Sequence, residues 1–189
     1  MKPTLIAVLL AGATIVAADP WSVGQGDVRV MCQMTIGGSF DAKTTVLGGS
    51  VTTSASGSPA FDGNLTVDLR TLDTGIGLRN EHLRETYLEV GKAPGYDKAI
   101  LSAITLKGVN PDAPEGKGSF TGSLALHGAT NPVTGSVEFR KAGDALRVKA
   151  SFPVKLADYR IAEPRYLGVG IKDLVQVEVN FSATRAGHQ

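Results

Sequence analysis

Side chains of the kinds that catalyse reactions are few in this sequence, and they do not fall in a known catalytic spacing. The chain has three histidines, His82, His127 and His188, and one cysteine, Cys32. It contains no Gly-x-Ser-x-Gly elbow, no P-loop and no His-Glu-x-x-His motif, and Glu81–His82 lacks a second histidine four residues later. We therefore expect a protein that is not an enzyme and has no cofactor.

Four basic or titratable side chains are the best candidates for contacting a polar ligand group. Arg79, His82 and Arg84 lie in one short polar segment, whereas His127 precedes a glycine in a predicted turn. A guanidinium group binds an oxyanion through two parallel hydrogen bonds, and a histidine can donate a hydrogen bond to an oxygen. Each of these residues could instead have a structural role. The two arginines could be solvated charges on a helix. His82 could be a helix-start residue hydrogen-bonded to a loop, and His127 could fix a hairpin. Nothing in the spacing of His82, His127 and Asp73 requires a metal site.

Alternation of apolar and polar residues along most of the chain predicts about eight β-strands. Glycine-rich turns separate these strands and predict antiparallel neighbours in an up-and-down order. Pro153 interrupts a long strand and predicts a bulge or an unpaired edge at that point. The predicted strands cover residues 28–36, 40–53, 65–69, 100–106, 120–126, 133–139, 146–156 and 175–181.

One polar segment, 78–89, departs from this alternation and predicts a short helix inserted between two strands. Leu83 and Tyr87 are four residues apart and would share one face of that helix. We expect Asn80 to cap the N-terminus of the helix, because a short polar side chain there can accept a free backbone N–H.

Eight strands with one apolar face each can bury those faces in a sandwich or in a closed barrel. An eight-stranded barrel is either filled by its own side chains or holds one ligand. Small residues at inward positions, Gly122, Gly135 and Ala150, would leave interior volume unfilled, although a twisted sandwich also needs small residues at close contacts. The strand pattern alone leaves both outcomes open.

The N-terminal segment is predicted to be a secretory signal peptide covering residues 1–18. Lys2 is followed by an apolar run from Leu5 to Val16, and the small residues Ala17 and Ala18 complete a cleavage site. A helical run of this length rises ~18 Å, too short for a ~30 Å hydrocarbon core. The alternative is a hydrophobic first element of the fold. We expect one domain over 19–189, located in the periplasm or secreted, with no stable membrane insertion.

Charge and cysteine content exclude several classes of function. The chain has 19 basic and 18 acidic side chains, for a net charge of +1. Cleavage after Ala18 would remove one basic residue, Lys2, and leave the two signs equal. This balance argues against binding to nucleic acid or to an anionic membrane surface. The single cysteine excludes an intrachain disulfide, and its place in an alternating apolar pattern favours a buried, inert thiol over a reactive one.

Several segments of the chain contain motifs that one known family of proteins shares. Residues 71–84, TLDTGIGLRNEHLR, are similar to the family signature, with Asn80 in place of the usual aspartate. Residues 126–133, LHGATNPV, resemble a family hairpin, and the Gly37–Phe40 turn resembles the first one. The sequence LADYRI before the last strand is similar to a third marker. These markers occur over nearly the whole predicted mature chain and in the order that they have in the YceI-like family of polyisoprenoid-binding proteins, which this chain therefore resembles.

The resemblance implies an all-β fold, an extended eight-stranded antiparallel lipocalin-like barrel with one short helix inserted between strands. It also implies an apolar pore that holds a long isoprenoid chain, such as a polyprenyl phosphate or a quinone tail, or another lipid. Arg79, His82, Arg84 and His127 would then be candidates for the ligand head group at the mouth. The residues expected to line the pore are Val28, Val30, Met34, Leu65, Val67, Leu69, Leu124, Leu126, Val137, Phe139, Val148, Phe152, Val154, Val175, Val177, Val179 and Phe181.

The alternative to lipid binding is an exported structural or protein-interaction module with a filled barrel. Such a module would need an apolar patch on the outward strand positions. In the strand over 146–156 those positions carry Arg147, Lys149 and Lys155, which argues against a patch there. The sequence leaves the oligomeric state open, with a homodimer through the open end or a strand edge as one arrangement that it allows.

Overall fold

The computed structural model describes residues 20–55, 57–166 and 169–185, except the side chain of Tyr166. The predicted signal peptide and His188 lie outside the described residues. The helical elements are α1 (Gly77–Glu81), a π-helical turn (His82–Tyr87) and two 3-10 turns (Leu69–Thr71 and Leu156–Tyr159). The strands are β1 (Trp21–Gln33), β2 (Ser39–Thr44), β3 (Leu47–Thr53), β4 (Ala60–Asp68), β5 (Lys98–Lys107), β6 (Gly116–Leu126), β7 (Ala129–Ala142), β8 (Ala145–Lys155), β9 (Arg165–Tyr166), β10 (Val169–Gly170) and β11 (Leu174–Arg185).

The long strands form one closed antiparallel barrel. Their order is β11-β8-β7-β6-β5-β4-β3-β1, and β1 pairs with β11 to close the ring, for example at Val28 and Val179. β2 and β3 are two halves of one interrupted strand, because β2 pairs with the second half of β1 and β3 with its first residues. The predicted eight-stranded barrel with one short helix between strands is confirmed.

Strand β8 shows why this sequence folds as a barrel wall. Leu146, Val148, Phe152 and Val154 are buried, whereas Arg147 and the other basic residues of the strand are exposed, as the period of two requires. The pairing of β7 with β8 ends at Ser151, so Pro153 adjoins no β7 residue. The unpaired edge predicted at this proline is therefore present.

Two of the predicted strands, 28–36 and 100–106, differ in detail from the structure. β1 begins at Trp21 and ends at Gln33, so that Ile36 lies in an exposed turn and not on a strand face. The pairing of β5 shifts between Ser102 and Thr105, where Ala103 has a φ of 49°. This bulge explains the irregular alternation over 100–106, because an extra residue reverses the faces beyond it.

The prediction that Asn80 caps the helix is wrong. We call α1 and the π-helical turn after it, 77–87, the helical segment. The cap position is Ile76, whose side chain makes no capping hydrogen bond. Asn80 lies inside α1, where its Oδ1 accepts from the backbone N–H and the hydroxyl of Thr74, both at 2.7 Å. Its amide nitrogen donates to Oδ1 of Asp73 at 2.6 Å. Asn80 therefore holds the preceding loop against the helix and not the first turn of the helix itself.

The chain connections gather at the two ends of the barrel. At one end the β1–β2 turn meets β10, where the backbone N–H of Thr35 donates to the carbonyl oxygen of Gly170 at 2.7 Å. The helical segment lies at this same end. At the far end the 108–115 loop covers the barrel, with Pro114 buried and the backbone N–H of Gly57 donating to Asp112. Among the described residues, no helix has the length and hydropathy to cross a bilayer.

Candidate ligand-binding cavity

A cavity of about 520 Å³ occupies the half of the barrel nearest the helical segment. Inward aliphatic and aromatic side chains of the strands form most of its wall. Its lining extends to Ile76, Leu78 and His82, which are exposed, so the cavity opens at this end. We call it the main cavity, and its size lies within the ~300–1,000 Å³ range of small-molecule sites.

Fourteen of the seventeen residues predicted to line a pore are in the wall of the main cavity. The other three, Val137, Phe139 and Val148, line a second cavity of about 90 Å³ at the far end of the barrel, which we call the small cavity. Contact of these residues with a ligand stays a prediction. The fourteen in the main cavity are Val28, Val30, Met34, Leu65, Val67, Leu69, Leu124, Leu126, Phe152, Val154, Val175, Val177, Val179 and Phe181.

The interior volume does not come from the glycines that the sequence had suggested. A Cβ added at Gly135 would lie 2.7 Å from Cε1 of Phe120, and one at Gly122 would lie 2.9 Å from Cδ1 of Leu101. Neighbouring side chains therefore already fill the space beside both glycines. Of the three small residues singled out, only Ala150 lines the main cavity, where Ala42 and Ala99 join it.

Segments outside the strands supply lining residues that the alternation could not identify. The helical segment contributes Leu83 and Tyr87, the pair whose four-residue spacing was the available signal. Ile161, Pro164 and Ile171 follow no periodic pattern that could have indicated their part in the wall. The lining residues outside the strands that neither the pore prediction nor the head-group prediction named are Leu72, Thr74, Ile76, Leu78, Leu83, Tyr87, Leu88, Leu156, Ile161, Pro164 and Ile171.

Two of the four head-group candidates, Arg79 and His82, line the mouth of the main cavity. The guanidinium carbon of Arg79 lies 4.2 Å from the centre of the Phe40 ring, a cation–π contact that holds the side chain half-buried at the rim. His82 is exposed at the junction of α1 and the π-helical turn. Both side chains therefore lie at the mouth, where the polar end of a mostly apolar ligand would be located.

Arg84 has a structural contact at the base of the helical segment. Its Nη2 donates to the carbonyl oxygen of Leu72 at 2.6 Å, and Arg84 is not part of the cavity lining. Leu72 is itself buried beneath the helix. The structure therefore places Arg84 as a link between the helical segment and the loop before it, and not at the mouth.

His127 is buried in the turn between β6 and β7 and does not line the main cavity. Its Nδ1 lies 2.9 Å from the carbonyl oxygen of Tyr159, and its Nε2 lies 2.9 Å from Oε2 of Glu89. The Tyr96 ring packs against the imidazole with centroids 4.9 Å apart. Lys92 and, more weakly, His127 lower the pKa of the Glu89 carboxyl through hydrogen bonds. The structural interpretation of His127, as the residue that fixes this hairpin, fits these contacts.

Cys32 lies in the wall of the main cavity and is buried. Burial and, to a smaller extent, the negative charge of Asp41 raise the pKa of its thiol to about 11. A thiol with this pKa is protonated near neutral pH and is a poor nucleophile. This environment agrees with the buried, inert cysteine expected from the sequence.

Comparison with known protein families identifies the family of this chain. The model of the YceI-like domain matches residues 21–183. This chain belongs to the YceI-like domain family. The matched range contains both the barrel strands that form the main cavity and the helical segment at its mouth. The resemblance noted in the sequence is thereby confirmed.

Individual YceI-like relatives are distant from this chain. A UPF0312 protein of Vibrio campbellii is 34% identical over 82 residues, which are 43% of this chain and only 40% of the relative. The crystal structure of Burkholderia cenocepacia BcnA has a TM-score of 0.65 at 19% identity, covering 84% of this chain and 96% of that one. A polyisoprenoid binding domain from Saccharophagus degradans has a TM-score of 0.63 at 18% identity, covering 88% and 98%. At 19% and 18% identity, the likeness to BcnA and to the polyisoprenoid binding domain shows that this chain shares their fold.

Asn80 stands where the resemblance noted in the sequence leads us to expect an aspartate. The backbone N–H of Gly75 and, next, the amide of Asn80 hydrogen-bond to Asp73 and lower the pKa of its carboxyl. An aspartate at position 80 would place a second carboxylate beside Asp73. The amide thus removes a repulsion from the loop that leads into the mouth. Among the described residues, no three His, Cys, Asp or Glu side chains come together as metal ligands.

Proposed function

We propose that this protein is exported and binds a long isoprenoid chain, of the polyprenyl phosphate or quinone type, in its main cavity. The observation that carries the proposal is an apolar cavity of about 520 Å³ with Arg79 and His82 at its mouth. Membership of the YceI-like family supports it, as does the likeness of the fold to a polyisoprenoid binding domain.

Burial of hydrocarbon would supply the binding free energy. Apolar surface gains about 25 cal/mol for each Å² removed from water, before the costs of association and chain ordering are subtracted. An isoprenoid chain exposes hundreds of Å² in water, so its transfer to the aliphatic wall is worth many kcal/mol. Such binding discriminates poorly along the tail, and the polar groups at the mouth would set the preference for a head group.

The proposed role is binding and not catalysis. The wall of the main cavity is built mostly of aliphatic and aromatic side chains, and its thiol, on Cys32, is held protonated by its raised pKa. The alternative of an interaction module with a filled barrel is not favoured, because the main cavity leaves the barrel interior incompletely filled. We therefore retain the ligand carrier as the proposed function.

Export is proposed from the first 18 residues, which combine Lys2, an apolar run and a small-residue cleavage site. Cleavage near Ala18 would release the barrel into the periplasm or the medium. An intact-mass measurement of the protein recovered outside the cytoplasm would then give Asp19 as its first residue, whereas a mass that retains Met1 to Ala18 would contradict the proposal.

Replacing Arg79 with glutamine tests the proposed head-group contact. In delipidated protein we expect Arg79→Gln to weaken a polyprenyl phosphate about tenfold, since a charge-assisted hydrogen bond is lost. Binding of the polyprenol of the same length should change less than twofold. Arg140→Gln, at an exposed arginine paired with Glu138 on the outer wall, is the matched control and should change neither affinity.

Titration calorimetry or fluorescence competition with the two probes would read both affinities. Equal losses for the phosphate and the alcohol would remove Arg79 from the head-group role. Failure of the unmodified protein to bind either probe would contradict the proposed function itself.

A further inference from the structure

The main and small cavities meet at a partition inside the barrel. Six residues line both cavities and therefore form the boundary between them. The small cavity lies beyond this boundary, where buried Pro114 covers the far end. The shared residues are Val23, Leu65, Leu101, Phe120, Ala150 and Phe181.

Phe120 is the residue of this partition whose position is fixed most closely. Its side chain is 3% exposed, and its ring meets the Phe152 ring edge to face, with centroids 5.6 Å apart and planes at 88°. Phe120 pairs across β6 and β7 with Gly135, and a Cβ at Gly135 would lie only 2.7 Å from Cε1 of the ring. The ring therefore lies over a position without a side chain, in a slot that its neighbours define.

Two other members of the partition lie on β8 and β11. Ala150 on β8 lines both cavities with a single methyl group, and Phe181 on β11 contributes the second ring. An apolar chain that enters from the mouth thus meets Phe120 and Phe181 before it can reach the small cavity. The aliphatic and aromatic lining beyond them, Ile104, Leu106, Val137 and Phe139 among it, is chemically as suited to hydrocarbon as the main cavity.

We propose that Phe120 sets the maximum length of apolar chain that the barrel accepts, by closing the main cavity against the small one. This inference rests on the proposed function, because it concerns the length of the chain bound in the main cavity. Shortening the side chain at position 120 would join about 90 Å³ of apolar space to the main cavity. Enlarging the side chain at position 150 would instead reduce the volume of the main cavity at the partition.

The test offers delipidated protein an equimolar ladder of all-trans isoprenoid alcohols that differ by one isoprene unit, and reads the bound species by native mass spectrometry. We expect Phe120→Leu to shift the preferred length upward by about one isoprene unit, because a large-to-small change in the wall opens volume. Ala150→Leu should shift it downward. Phe139→Leu removes the same atoms from the small cavity without touching the partition, and should leave the preferred length unchanged.

The outcomes separate this inference from the proposed function. An unchanged length preference in Phe120→Leu, or equal shifts in Phe120→Leu and Phe139→Leu, would overturn the role of Phe120 while leaving lipid binding intact. Binding of no alcohol by the unmodified protein would overturn both. If Phe120→Leu does not fold, Phe120→Met keeps a side chain of similar volume that can bend aside, and the same upward shift is expected.

Discussion

Replacing Val177 with arginine is expected to reduce isoprenoid loading of the barrel at least tenfold. Val177 on β11 pairs with Val30 on one side and Phe152 on the other, and all three line the main cavity. Because the main cavity opens at its mouth, solvent can reach a guanidinium when the cavity is empty, but a bound hydrocarbon would exclude that solvent. The unpaired buried charge then costs several kcal/mol in the bound state. Loading would be measured with a polyprenol probe and native mass spectrometry.

The neighbouring position supplies the control for Val177→Arg. Gln176 lies on the outer face of the same strand, where its Nε2 donates to the hydroxyl of Ser151 at 2.8 Å. Gln176→Arg adds the same charge outside the barrel at the cost of one partly exposed hydrogen bond, so loading should stay within twofold. If Val177→Arg does not fold, Val177→Trp tests the same placement of the ligand, because its side chain fills the cavity without adding a charge. A folded Val177→Arg protein that loads normally would contradict the placement of the ligand.

Replacing Gly135 with alanine is expected to destabilise the barrel by about 3 kcal/mol, because overpacking forces backbone shifts. A Cβ at Gly135 would overlap the backbone carbonyl oxygen of Ser151 and lie 2.7 Å from both the Phe120 ring and the Cβ of Phe152. None of these atoms is the free end of a flexible chain. Denaturant unfolding followed by far-UV circular dichroism would measure the change.

Gly48→Ala is the matched control for this substitution. Gly48 also lies in a barrel strand, but a Cβ there meets nothing within 4 Å and its φ is not positive. Its free energy of unfolding should therefore change by less than about 0.5 kcal/mol. Similar stabilities of the two variants would show that the packing of Phe120 over Gly135 does not constrain the wall.

The barrel was predictable from the sequence because its wall follows a local rule. Each strand has one face in the interior, so alternation alone identifies the buried residues of β8 and the cavity-lining residues of β11. The interruption between β2 and β3 was not predictable in this way. It occurs where the chain leaves β1 and pairs with β4, an event that depends on partners far along the chain.

The candidate site was predictable only in part because its contacts join distant segments. Arg84 and His127 are of the right chemical types for a head group, but Arg84 is bound by the carbonyl of Leu72 and His127 by Glu89 and Tyr159. Arg79 and His82 have the same types and differ only in position, at the mouth. Likewise Gly135 appeared to leave empty space until the register of β6 and β7 placed the Phe120 ring over it.

The central claim is that the main cavity holds a long isoprenoid chain in the native protein. Its most direct test is mass spectrometry of an organic extract of the protein, purified without detergent from the cells that produce it. We expect a long-chain isoprenoid at close to one molecule per barrel, and much less in an extract of Val177→Arg prepared in parallel. Repeated extracts of folded, detergent-free protein that contain no long-chain lipid would contradict the claim.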